Sequence, residues 1–556
     1  MYDKVGELRS INILPVQEDG LSPQIQRLDH KIRANTDSEC TTSLAQQWLS
    51  NCQANHPECN RNVNVHNVLP LRVIDVGKIG DPSVCLSVSD LSHPYGKYIT
   101  LSHCWGDSDV LKLTTDNEMA LRTGFAIKDL LKTFREAIQF TRALSVQYLW
   151  IDSLCILQDS LEDWKHQSAL MGEIYKNCFC NLAATSSSNS QGGIFVERDL
   201  NMIRPFNLAI MEKSLDGGIT HQGRYYVYDA GLWGSHVETA PLNRRGWVLQ
   251  ERILAPRVVH FSNYISWECK SLAASEITPT GGREFYRRDH NDFYRFLKLI
   301  ESASAQKHQA TDQKTGISNA AHNMWLDLVK KYSNCALSKE EDILVAISGI
   351  ANIMESTWKD QYIGGLWRST LLKDLLWSTK GEPRLLRIPL PTWSWASRKG
   401  PISWDQISWI LFDHVDLAEL LDFRIKTFGD EPNGQIEVGY LTFQSFLFYL
   451  VWTGNMYEQN ISHYSSQITI SWDPSFVREC DRKKKGAKAL CMPIMIGDSG
   501  GDVLLSGLLL EPSPPGYLES YPEGSFVRVG VFSLTLPGYI DPLAYLTCRD
   551  IMLELE

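Results

Sequence analysis

The stretch Tyr148–Tyr175, YLWIDSLCILQDSLEDWKHQSALMGEIY, constrains this chain more than any other. It opens on the apolar run Tyr148-Leu149-Trp150-Ile151, too short for a helix and rich in aromatic and branched residues, as a buried strand reads. Asp152 stands where the run ends, followed by Cys155, Gln158 and Asp159. Ser160 and Asp163 have the Ser-x-x-acid spacing of a helix start. Leu161, Trp164, Met171 and Ile174, with Leu170 and Tyr175 beside them, then recur at helical spacing and give one apolar face. Strand, acidic edge, polar loop and capped helix make a unit of the kind whose strand ends carry ligand sites in open α/β folds.

The neighbouring segments extend that unit. Tyr98-Ile99-Thr100-Leu101 reads as a strand running into SHCWGD, and Leu130, Phe134, Ala137, Ile138 and Thr141 as a helix. A third apolar run, Phe179 to Ala184, ends in the loop TSSSNSQGG. Strand–helix–strand–helix–strand predicts right-handed crossovers and a parallel sheet, with Ser102 and Asp152 at the same sheet edge. Farther on, Arg245 to Ile253 suits a helix stopped near Pro256. Val258 to Phe261 and Tyr264 to Trp267 read as a hairpin over Ser262-Asn263. Gln250, Glu251 and Arg252 are consecutive on that helix and cannot share a face.

Four regions are expected: an entry segment (1–90), an α/β core (91–270), a mainly helical region (271–387) and a β-rich domain (388–556). The helical region rests on Trp325 to Tyr332, Ile343 to Met354 and Leu371 to Trp377. The β-rich one rests on PLPTWSWAS and on Gln435 to Leu450, Ile468 to Trp472, Val503 to Leu510 and Val527 to Leu534. In the entry segment, Cys40, Cys52, His56 and Cys59 are a conceivable zinc set. The irregular Cys-x3-His-x2-Cys spacing favours a helix end with buried thiols, and no metal is assigned.

With 556 residues and 43% hydrophobic content the chain has ample core for two or three domains. A net charge of -11 argues against a nucleic-acid binder, because phosphate contacts need a basic face. The first residues lack an apolar signal-peptide core, and Leu441 to Trp452 is too short and too interrupted to span a bilayer, so a cytoplasmic location is expected. The 13 cysteines then read as reduced thiols. Arg482-Lys483-Lys484-Lys485 reads as a solvated loop rather than a nuclear signal.

Three blocks, YITLSHCWGD, Tyr148–Tyr175 and RRGWVLQERILAPRVVHF...WEC, in this order closely resemble the three motif blocks of the fungal heterokaryon-incompatibility (HET) domain. The flanks CQANHPECN, WLDLVKKYS...EDILVAISGIA, YIGGLW...LLW and PTWSWAS look like those of stand-alone proteins of that family. The resemblance implies a parallel flavodoxin-like or Toll/interleukin-receptor-like core. It also implies a role in non-self recognition between fungal individuals and in cell death after incompatible fusion, through protein partners and self-association. Two positions depart from the family pattern: His103, where Tyr is common, and Leu157, where Asn stands in a usual CINQ.

Three chemistries follow. A death-effector or signalling module acts by binding. A hydrolase similar to NAD-cleaving proteins of the Toll/interleukin-receptor fold takes NAD as substrate and needs a carboxylate beside an oxocarbenium-like transition state; Asp152, Asp159, Glu173 and Glu251 are the candidates. An enzyme or accessory factor of a fungal specialised-metabolite pathway has Cys155 as candidate nucleophile. Ser102, Trp105, Gln158, Asp159, Arg245, Trp247 and Gln250 are the candidate ligand contacts, with the tryptophans available to stack on a base. Each has a plainer reading. Asp152 caps a turn, Cys155 is a small buried hydrophobe, Glu173 is exposed or paired with Lys176, and Glu251 joins an ion network with Arg252 and Arg245. Gly497-Asp498-Ser499-Gly500-Gly501 and Ala320-Ala321-His322 echo a chymotrypsin-like protease, but His322 sits in a helical pattern and Asp-Ser-Gly-Gly between strands is a turn.

Overall fold

The computed structural model describes residues 11–15, 32–60, 68–89, 95–106, 110–213, 219–281, 318–381, 390–404, 414–427, 434–452, 457–458, 467–473, 488–499, 502–513, 525–537 and 549–555. The basic run at 482–485 and part of the expected helical region, 282–317, lie outside them. Two compact units divide the chain, Met1–Lys298 and Leu299–Glu556.

In chain order the first unit holds β1 (Ile11–Pro15), α1 (Glu39–Asn55), α2 (Pro57–Asn60), β2 (Arg72–Asp75), β3 (Ser83–Val88) and β4 (Tyr98–Ser102). There follow α3 (Glu118–Thr123), β5 (Phe125–Ala126), α4 (Lys132–Ala143), β6 (Tyr148–Trp150), α5 (Asp152–Cys155), α6 (Leu161–Asn177) and β7 (Cys180–Ala183). The last are α7 (Leu200–Ile203), β8 (Phe206–Lys213), β9 (Ile219–Asp229), α8 (Gly246–Leu254), β10 (Arg257–His260), β11 (Ser266–Cys269) and β12 (Leu272–Ser275). Nine strands form one sheet in the order β12-β11-β10-β7-β4-β6-β2-β3-β5.

Its centre is parallel: β4 runs parallel to β6 and β7, and β7 to β10. The margins are not: on one side β10 and β11 form the expected hairpin, while on the other β2 departs from the expected parallel sheet. β11 is antiparallel to β10, and β2 to β6. A hairpin such as β10–β11 reverses direction at once, whereas a parallel neighbour requires a crossover of a dozen or more residues. The central strands are buried throughout, as strands covered on both faces must be.

Helices cover both faces. On one, the Tyr98 hydroxyl donates to Ile174 O of α6 at 2.7 Å. On the other, His103 meets Phe134 of α4 edge-on at 5.1 Å. α1 shares that second face: Trp48 stacks on Trp267 of β11 at 6.0 Å, and Gln46 donates to Ala143 O. The start of α6 follows its sequence signal, Ser160 Oγ accepting from Asp163 N at 3.2 Å. The Asp163 carboxylate turns away to Leu157 N at 2.8 Å and Arg72 at 3.0 Å, tying the polar loop to β2. β1, β9 and β8 make a separate three-stranded antiparallel sheet.

In the second unit, helices Asn319–Ser333 and Val345–Trp358 precede a β-rich part. Trp325, Trp367, Trp377, Trp393 and Trp395 are fully buried, Trp367 meeting Trp325 and Trp358 edge-on. The strand pairings then close on themselves. Ile436–Trp452 pairs with Lys488–Ser499, that with Asp502–Pro512, that with Phe526–Pro537, that with Arg549–Leu555, and that again with Ile436–Trp452. Phe448, Leu450, Leu505, Leu509, Val529 and Phe532 fill the core beside this ring, and Glu419–Thr427 lies outside it, paired with Ile436–Trp452. His322 hydrogen-bonds Asp374 at 2.5 Å, and Ser499 ends a strand opposite Asp502, its register partner across a hairpin. Among the described residues no helix is long and apolar enough to cross a membrane.

Candidate functional site

Side chains alternate along β4, so Tyr98, Thr100 and Ser102 face α6 and α8 while Ile99, Leu101 and His103 face α4. Thr100 lies opposite Asn181 of β7 in register. From this pairing a polar chain runs to the strand end. Thr100 Oγ1 donates to Asn181 Oδ1 at 3.0 Å, Asn181 Nδ2 to Ser102 Oγ at 2.9 Å, and Ser102 Oγ to Glu251 Oε2 at 2.5 Å. Glu251 comes from the inner face of α8 and is only 5% exposed. Burial pushes its carboxyl up to about 7, against the opposing pull of Ser102 and Arg245. The Tyr175 hydroxyl donates to Leu101 O at 3.4 Å beside Ser102 and Glu251, and burial holds its phenol well above the ordinary range.

A half-buried rim lies at the strand ends. Trp105 Nε1 donates to Asp152 Oδ2 at 2.9 Å, and Lys112 Nζ stands 5.6 Å from the Trp105 ring centre. Asp152 Oδ1 accepts from Ser153 N at 2.7 Å and lies 3.9 Å from His103 Nδ1. Arg245, at the head of α8, donates to the His103 carbonyl. Burial lowers the His103 imidazole to about 4, Asp152 notwithstanding, so the ring is neutral at physiological pH. The turn after β4 depends on Gly106, at φ +66°, where an added Cβ would lie 2.3 Å from Asn189 Cβ.

Ser102, Trp105, Asp152, Arg245 and Glu251 thus meet at one sheet edge. Gln250 is buried beside Glu251 in sequence, and Trp247 sits half-buried in the first turn of α8. The other residues singled out in the sequence stand elsewhere. Gln158 donates its amide to Asp152 O at 3.2 Å and Ile156 O at 3.0 Å, bracing the turn from within. Asp159 is exposed and accepts from Thr115 N and Thr115 Oγ1, a bond that holds its carboxyl below the usual range. Glu173 lies on the outer side of α6, 2.9 Å from Lys176. Cys155 is buried, and burial drives its thiol up to about 12, where it is protonated and a poor nucleophile.

Two members of the site, Asn181 and Tyr175, escaped the sequence reading. Asn181 had a signal: an amide inside the otherwise apolar run Phe179 to Ala184 has to be satisfied by something, here Thr100 and Ser102. Tyr175 counted only as part of the apolar stripe of α6. Next in sequence to Glu251, Arg252 turns away to Glu238 and Glu268, each at 2.7 Å, with His260 3.2 Å from Glu268. A surface groove beside α4, lined by Ile79, Pro82, Ile127, Arg135 and Arg142, shares no residue with the site.

Residues 98–251 match the family described as Heterokaryon incompatibility protein (HET), a span running from the first residue of β4 to Glu251 itself. Heterokaryon incompatibility protein 6, OR allele, of Neurospora crassa is 34% identical over 101 residues, 17% of this chain and 15% of that relative. The chain therefore matches only a minor part of that relative's length. No solved structure matches.

Proposed function

From the match of residues 98–251 to the HET family, we propose that this chain is a HET-domain protein that acts in fungal non-self recognition and drives cell death after incompatible fusion. The observation that carries this reading is the match itself, whose ends coincide with the elements that build the Ser102–Glu251 edge. The reading is tested by fusing strains that differ only in carrying this gene and counting dye-permeable fusion cells. A rise in dead fusion cells over matched self-fusions is expected; equal survival with the chain detectably expressed overturns it.

A second reading concerns the chemistry, and it is favoured by Glu251. Numbered among themselves, the parallel strands β4, β6, β7 and β10 follow the order 2-1-3-4, in keeping with a flavodoxin-like or Toll/interleukin-receptor-like core. The edge of β4 and β7 is then the topological switch point at which such sheets bind ligands. Glu251, half ionised near neutral pH, is suited to stabilise an oxocarbenium-like ribosyl centre there. In the reaction inferred, the glycosidic C–N bond of NAD breaks, nicotinamide leaves with the electron pair, water supplies the oxygen to the ribosyl carbon, and a proton is released. Trp105 with Lys112 offers a stacking face and a cation for the dinucleotide. The pathway-enzyme reading had Cys155 as nucleophile, and the buried, protonated thiol lends it no support.

Nicotinamide release from NAD tests the second reading. Wild type should release it, Glu251→Gln should lose about 10²–10³-fold, as when one transition-state group is removed, and Glu173→Ala should match wild type. No release at any protein concentration overturns the hydrolase reading and leaves the incompatibility reading to the fusion experiment.

A further inference from the structure

We propose that Cys52, His56, Cys59 and Cys269 bind a structural zinc ion, clasping the helix that precedes the HET domain to the strand that follows it. The sequence had offered Cys40 as a fourth ligand, and geometry excludes it. Cys40 lies in the first turn of α1, twelve residues before Cys52, roughly 18 Å along a helix rising 1.5 Å per residue. The fourth donor is instead Cys269, at the end of β11. The donor atoms of Cys52, His56, Cys59 and Cys269 all lie within 4.8 Å of one another. Tetrahedral bonds of ~2.3 Å to sulfur and ~2.0 Å to nitrogen put neighbouring donors about 3.5–3.8 Å apart. Cys269 Sγ already stands 3.4 Å from His56 Nδ1.

Local structure sets the donors. Cys52 and His56 are four residues apart at the end of α1 and so share a face, and Cys59 is carried back towards them by the short α2. Asn60 fastens this turn, its amide donating to Gln53 O at 2.8 Å and His56 O at 3.1 Å. The three cysteines are buried and reduced, and His56 is half-buried.

A second observation points to a negatively charged centre. Arg257 of β10 is fully buried, and its guanidinium donates to Cys52 Sγ at 3.3 Å, to Phe179 O at 3.1 Å and to Asn60 Oδ1, none of them a carboxylate. A buried guanidinium without an anion is costly. Three thiolates, a neutral imidazole and Zn²⁺ carry one net negative charge, and Arg257, register partner of Cys269, stands against it. Arg257 both donates to a ligand sulfur and balances the charge, the kind of outer-shell contact that metal centres recruit.

The ligands come from both sides of residues 98–251, so the ion would close a loop around the whole matched domain. Metal analysis of the full chain, purified reduced and without chelator, should find about one zinc per chain and little iron. Cys40→Ser should keep the zinc, and Cys269→Ser should lose it. Cobalt(II) exchange into the wild-type chain gives a readout that does not depend on Cys269→Ser folding: intense visible absorption of a tetrahedral thiolate site is expected. Less than about a tenth of an equivalent of zinc with no cobalt band, a disulfide among these cysteines by mass, or full zinc in folded Cys269→Ser each overturns the proposal.

Discussion

Glu251 and Glu268 are equally buried, yet burial holds the first at about 7 while Arg252 and His260 outweigh burial and hold the second at about 2. The difference lies in partners: Glu251 meets neutral hydroxyls and the more distant Arg245, whereas Glu268 meets a guanidinium at 2.7 Å. The sign of the pH effect follows. With Glu251 raised from 4.5 to about 7, the fold favours its neutral form. That stability is fully present below pH 4.5 and is lost as pH rises to about 7, roughly 3 kcal/mol in all. Glu251→Gln cannot ionise, so denaturant unfolding should show the variant gaining on wild type between pH 5 and 7.5 and holding level above. Parallel profiles would remove Glu251 as the titrating group. At this scale the sequence was readable where polar residues cluster in the blocks, as at Ser102, Asp152 and Glu251. It was opaque where one polar residue sits among apolar ones, as at Asn181, because periodicity weighs the run and not the exception.

Strands and helices were the most legible elements. β4, β6, β7, α6 and α8 each carry a period or a cap that local physics enforces, and so the central sheet could be laid out in advance. The antiparallel margin at β2 could not, since strands as short as Arg72–Asp75 pair with whatever edge the chain brings them to. Between β4 and the loop at 185–193 lies the element on which the site depends most. Ser190 Oγ donates to Cys104 O at 3.1 Å, and Gly106 packs so close to Asn189 that no side chain fits. Gly106→Ala adds a left-handed conformation costing about 1–2 kcal/mol to that overlap. The melting temperature should drop, and Trp105 fluorescence should shift as its bond to Asp152 loosens. An unchanged melting curve would mean that the turn does not anchor the rim.

Across the molecule, what stayed illegible was contact between residues far apart in the chain. Spacing rules group residues that one turn or hairpin brings together, and they grouped Cys52, His56 and Cys59 with Cys40 while assigning no metal. They cannot find Cys269, which the sheet order alone places beside them. Nor do they show that Glu268 and Cys269, successive residues of β11, serve opposite faces, one held by Arg252 and the other gathered with the α1 thiols. That strand has two masters, and so its substitutions cannot be weighed one at a time. Arg252→Ala and Cys269→Ser should each let β11 settle differently, and the double variant should lose less than the sum of the singles by about 0.5–3 kcal/mol in denaturant unfolding; simple additivity would show the two faces to be independent. Inherited changes at Glu268 or Cys269 would then persist in company, each tolerable only after a change on the other face has prepared the strand for it.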